Sequence, residues 1–78
     1  MTTIKEHDNV VLTVDLPDEG LTAGDLGTVV HIHKAGNAYE VEFMTLRGRT
    51  LAVTTLRESQ VRPISEREVA HAREFSKA

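Results

Sequence analysis

His31 and His33 stand two residues apart in a β-branched run, and Glu40 and Glu42 stand two apart just beyond it. On a strand that spacing turns both imidazoles to one face, and a carboxylate from a neighbouring strand could add a third ligand to a zinc site. Gly20, Gly24 and Gly27 lie within eight positions of one another, as in loops that cradle phosphate. Arg47, Arg49, Arg57 and Arg62 gather in a short stretch and could meet phosphates of a nucleic acid. Each of these chemistries has a plainer competitor.

A phosphate cradle needs a helix after the glycines, whose free N–H groups hold the anion. Here "TVVHIH" follows Gly27, a good strand and a poor helix start, and Asp25 would repel phosphate. The glycines are therefore expected to shape a turn. Gly27 sits where a strand begins and where a side chain would crowd neighbouring backbone, and Asp25 accepts from nearby amides. His31, His33 and Glu40 are the weak metal candidates, and no metal is expected. A four-residue connection pairs His31 with Glu40, or His33 with Glu40 and His31 with Glu42, in either case a solvated face of weak charge pairs. His7 and His71 stand alone and should be exposed.

No cysteine is present, and no serine or threonine sits in a recognisable setting beside a histidine. Neither an enzyme nor a cofactor is expected. Three aromatics and a net charge of −3 argue against a dedicated nucleic-acid binder. Tyr39 and Phe43 alternate onto an inward face and belong to the core rather than to a stacking platform.

A chain of 78 residues makes one small domain with little stability to spare after chain entropy. Without cysteine or an apolar leader, and without a membrane-spanning stretch, a reducing cytoplasm is the simplest setting. The charge is uneven. Residues 1–45 carry eight acids against Lys5 and Lys34, a net −6, and the remainder is net +3. Opposite faces of that kind can steer a partner or a second copy.

The elements that must position these groups are mostly strands. "VVLTVDL" (10–16) alternates, "PDEG" turns, "GTVVHIH" forms a second strand, and "KAGNA" makes a hairpin with Gly36 and Asn37 able to take positive φ. "YEVEF" alternates cleanly, "LRGR" turns, "TLAVTTL" is a fourth strand, "RESQ" a 3₁₀ turn and "VRPI" a short closing strand. Five short strands with these turns predict a mainly β, five-stranded SH3-like small barrel over residues 1–64, with an OB-type barrel second. Residues 65–78 change period. Ser65 and Glu68 fit a capping box, Ile64 and Val69 a hydrophobic staple, and residues 66–76 are good helix formers. A C-terminal helix with a thin stripe of Val69, Ala70, Ala72 and Phe75 is expected, docked on a surface because so short a helix is marginal alone.

The stretches "IKEHDNVVLTVDLPDEGL", "GDLGTVV", "YEVEF" and "QVRP" resemble the bacterial domain of unknown function 4926 across residues 4–64. More distantly, "GDLGTVV" followed by "YEVEF" is similar to KOW motifs and to the SH3-like accessory subunits of photosystem I and nitrile hydratase. The resemblance implies an SH3-like barrel in a bacterial cytoplasm and brings no catalytic residue.

The expected role is a non-catalytic protein–protein interaction module. It would serve as an antitoxin- or immunity-like partner encoded nearby, or as an accessory subunit of a bacterial complex. Arg47, Arg49, Arg57, Arg62 and Phe75 would meet the partner, and Phe75 would dock on the barrel or on another copy. A homo-oligomer, most simply a dimer with the tail helix beside the interface, is expected. The alternative is a KOW-like nucleic-acid binder using the Arg47/Arg49 turn.

Overall fold

A computed structural model describes residues 4–33 and 37–76. Five strands form one antiparallel sheet: β1 (Asn9–Leu12), β2 (Leu26–His33), β3 (Ala38–Met44), β4 (Thr50–Arg57) and β5 (Val61–Pro63), in the order β4-β3-β2-β1-β5. Short 3₁₀ turns at Pro17–Glu19 and Glu58–Gln60 occupy the two places where the sequence predicts tight turns. Val10, Leu12, Val29, Val41, Phe43, Leu56 and Val61, drawn from all five strands, share one buried cluster with Leu21 and Tyr39.

The expected barrel is not closed. Among the described residues β4 and β5 are the two edges of the sheet and do not pair. β5 is three residues long and ends at Pro63, which has no N–H to offer a further strand. The chain ends of the sheet are joined instead by the β1–β5 ladder, in which Val10 pairs with Pro63 and Leu12 with Val61.

β1 is shorter than the alternation of residues 10–16 suggests. Its ladder ends at Leu12, and Asp15 turns its side chain to accept from the Ala23 amide at 2.9 Å. Leu16 then bridges Leu21, closing the Pro17–Glu19 turn, with Gly20 at φ 73°. Val11, on the strand's other face, is as buried as its neighbours. The alternation of β3 holds: Tyr39, Val41 and Phe43 are buried, and Glu40 and Glu42 lie between them on the outer face. At the hairpin between β2 and β3, Asn37 takes φ 50°, and Gly36 lies outside the described residues.

The predicted C-terminal helix is absent among the described residues. Its first turn forms: the Ser65 amide donates to Glu68 Oε1 at 2.7 Å, and the Glu68 amide to the Ser65 carbonyl at 3.1 Å. Beyond Glu68 the chain runs without regular structure. The staple does not form either, since Ile64 and Val69 are both exposed, Val69 to 89%. The local helix signals lose to contacts made far along the chain, described below.

Candidate functional site

The histidine face is set by the β2–β3 ladder. Val29 pairs with Val41, and after a one-residue irregularity His31 pairs with Glu40. This is the first of the two registers the connection allows. The side chains lean across it. His33 Nε2 lies 2.7 Å from Glu40 Oε2, and the Thr55 hydroxyl of β4 donates to the same oxygen at 2.7 Å. The hydroxyl of Thr55, and next the His33 ring, hold the Glu40 carboxyl below its ordinary range. His31 turns away, its Nδ1 3.7 Å from a Glu6 carboxylate oxygen and its ring edge-on to His33 at 4.7 Å. His31, His33 and Glu40 therefore do not converge on one point. No group of three or more metal-ligating side chains gathers among the described residues. Both pairs are solvent-exposed, and such pairs contribute little to stability. His7 and His71 are exposed.

The glycine loop is a turn. The Thr22 amide donates to Asp25 Oδ2 at 2.9 Å, as an aspartate expected to accept from the loop's amides should. Gly24 sits at φ 99°. Gly27 is buried in β2, and a Cβ there would lie 2.5 Å from Val41 Cγ1 and 2.9 Å from Phe43 Cε1. The crowding comes from core side chains of β3, not from backbone.

Asp25 has a second role that local sequence does not show. Arg73, 48 residues away, grips it through two hydrogen bonds of 2.8 and 2.6 Å and gives a third to the Gly20 carbonyl at 3.1 Å. Partial burial pushes the Asp25 carboxyl up, but the Arg73 guanidinium and the Thr22 amide outweigh it and leave the group below its ordinary value. Nearer the sheet, Arg62 grips Glu68 through bonds of 3.0 and 2.6 Å. Arg62, helped by the Ser65 amide, draws the Glu68 carboxyl down to about 2. These two clasps, with Phe75 packed against the core cluster of its own chain, hold residues 65–75 over the sheet. A helix from Glu66 would have to give up both the Arg73 grip and the seat of Phe75.

Between the tail, the β3–β4 turn and the glycine loop lies a cleft of about 1230 Å³. Val11, Leu21 and Phe43 line its depth. Leu26, Met44, Leu46, Ile64 and Val69 line it as exposed apolar side chains, Leu46 to 87%. Arg47, Arg49, Arg62 and Phe75, four of the five residues expected to meet a partner, line this one cleft. Arg57 does not join them. It ends β4, on the order of 20 Å along the strand from Arg49. Arg62 is spent on Glu68, whereas Arg47 and Arg49 have no acidic partner among the described residues. The turn that presents them is tightly tied: the Thr45 amide donates to the Arg49 carbonyl at 2.8 Å, and the Arg49 amide to Thr45 Oγ1 at 3.0 Å. Sequence reasoning missed Leu26, Met44 and Leu46 as an exposed rim, because apolar residues at strand ends look like core.

No helix among the described residues is long and apolar enough to cross a membrane. No curated protein and no solved structure matches the chain significantly. The family model described as Domain of unknown function (DUF4926) matches residues 6–63, the whole sheet and both its 3₁₀ turns, and the chain belongs to that family.

Proposed function

We infer that this protein is a non-catalytic, SH3-like interaction module that takes a segment of another protein in the cleft beneath its tail. One observation carries the reading. Exposed Leu26, Met44 and Leu46 adjoin two unpaired arginines on a turn fixed by its own hydrogen bonds. Contiguous apolar surface with flanking arginine is the composition of protein interfaces, where arginine is enriched and lysine depleted. The acceptor would be a partly apolar, acidic segment. An accessory subunit of a bacterial cytoplasmic complex, or an antitoxin- or immunity-like partner, fits such a module.

The nucleic-acid reading loses support from the way the arginines are placed. Arg62 is neutralised by Glu68 and Arg57 lies at the far end of β4, which leaves Arg47 and Arg49 for phosphate. The test is affinity capture from the native host with the wild-type chain, Leu46→Asp and Arg47→Ala/Arg49→Ala. A protein held by the wild type and lost in the variants supports the reading. No retained protein, or one held equally by all three, refutes it.

A further inference from the structure

The two edges of the open sheet are unlike each other. β5 is short and ends in proline, a common way of closing an edge to further strands. β4 is eight residues long and, among the described residues, pairs with β3 alone, with one ladder irregularity at Leu51. Its sequence, "TLAVTTLR", has no proline, lysine or acid, and its single charge is Arg57 at the very end. Val53, midway along it, is 54% exposed. An edge of this length and composition, left unpaired, is a template for another strand. Among the described residues no further strand pairs with it. The Pro17–Glu19 turn reaches it from the inner face, where the Thr54 hydroxyl donates to Glu19 Oε1 at 3.1 Å, and leaves the backbone edge unpaired.

We propose that β4 pairs antiparallel with β4 of a second copy about a two-fold axis, making one continuous ten-stranded sheet. A second copy is the occupant because the edge complements itself. A two-fold antiparallel pairing joins residues of like parity, so the axis passes through one residue. Centring on Val53 would set Arg57 beside Arg49 of the other copy, one residue before β4 begins, and centring on Ala52 would carry Arg57 past the end of β4 towards the turn that holds Arg47 and Arg49. Centring on Thr54 avoids both. It pairs Val53 with Thr55 and Arg57 with Leu51, beside Thr50, whose hydroxyl donates to Glu42. Each Arg57, which has no acidic partner within its own chain among the described residues, then comes within reach of a Glu42 that has no cationic one. The sequence-based expectation put the tail at a dimer interface. Within its own chain the tail is held through Arg73, Phe75 and Glu68, and the β4 pairing makes no use of it.

The proposal does not rest on the cleft, and the two fail separately. Sedimentation of the full chain at high micromolar concentration should give twice the monomer mass. Val53→Lys, at an exposed position, should give monomer with an unchanged far-UV spectrum, and Phe75→Ala should remain dimeric. Because the chain has no cysteine, Val53→Cys/Thr55→Cys gives an independent reading. Oxidation should trap a disulfide-linked dimer, and Val53→Cys/Arg47→Cys should not. A monomeric wild type, a dimer that survives Val53→Lys, or failure of the Val53/Thr55 pair to crosslink would overturn the proposal. So would a dimer abolished by Phe75→Ala with Val53→Lys still dimeric.

Discussion

Replacing Gly27 with alanine asks how tightly β2 lies against β3. The backbone there is ordinary extended strand, outside the positive-φ set, so the substitution brings no dihedral strain. What it brings is one methyl group at 2.5 Å from Val41 Cγ1 and 2.9 Å from Phe43 Cε1. Ordinary carbon–carbon contacts lie about 1 Å further out. Neither neighbour can retreat into solvent, since Val41 is 0% and Phe43 1% exposed. Overpacking of this kind costs about 1–3 kcal/mol. For a chain of this length each kcal/mol lowers Tm by roughly 4–8 °C. Gly27→Ala should therefore melt about 4–24 °C below wild type, and Gly27→Val lower still. The assay is thermal or urea unfolding followed by circular dichroism. A double-mutant cycle with Val41→Ala separates crowding from any other cause. Removing two methyl groups from Val41 makes room, so the double variant should be more stable than the sum of the singles by on the order of 1 kcal/mol. Wild-type stability for Gly27→Ala, or strict additivity in the cycle, would refute the close-approach argument.

Arg73→Ala should free the tail without unfolding the sheet, seen as faster tryptic cleavage after Arg67 and a Tm change of a few degrees at most; equal cleavage rates would mean the clasp holds nothing. Acid should act in the same direction. Glu68 and Asp25 carry folded-state values below their ordinary ones of 4.5 and 3.8, so their contribution is complete above those values and fades as pH falls, for Glu68 towards about 2. Protection of the amides in residues 65–76, taken relative to the intrinsic exchange rate at each pH, should fall across that range while that of β3 holds. Added zinc should leave Tm unchanged, because His31 and His33 face different carboxylates; a rise of several degrees that vanishes in His31→Ala would show a site. Random DNA or RNA should not bind at low salt, and a steeply salt-dependent affinity would restore the nucleic-acid reading.

The sheet was legible because its signals are local. β3 declares itself by strict alternation, and the 3₁₀ turn at Glu58–Gln60 by a polar run between two apolar strands. The turn role of Asp25 was legible for the same reason, since its partner amide at Thr22 is three residues away. The tail was misread for the converse reason. Ser65 and Glu68 make most of a capping box, but what decides residues 69–76 is Asp25, which no local pattern connects to Arg73. β1 was overextended because Val14 and Leu16 continue its alternation after Asp15 has already left the ladder. Closure of the barrel could not be read from strand count, because it depends on whether β5 is long enough and has the N–H groups to reach β4.

The β1–β5 ladder has a bearing on how such a domain can be carried. Val10 and Pro63 face each other across one strand spacing, about 5 Å. The chain thus enters and leaves the sheet at a single doorway, although more than fifty residues of folded protein lie between. A segment with adjoining ends can be spliced into a surface loop of a larger host without prising that loop apart, or permuted by joining its ends and reopening it at the exposed Leu46–Arg49 turn. The architecture is therefore suited to being carried as an insert, because its two strand ends already lie side by side.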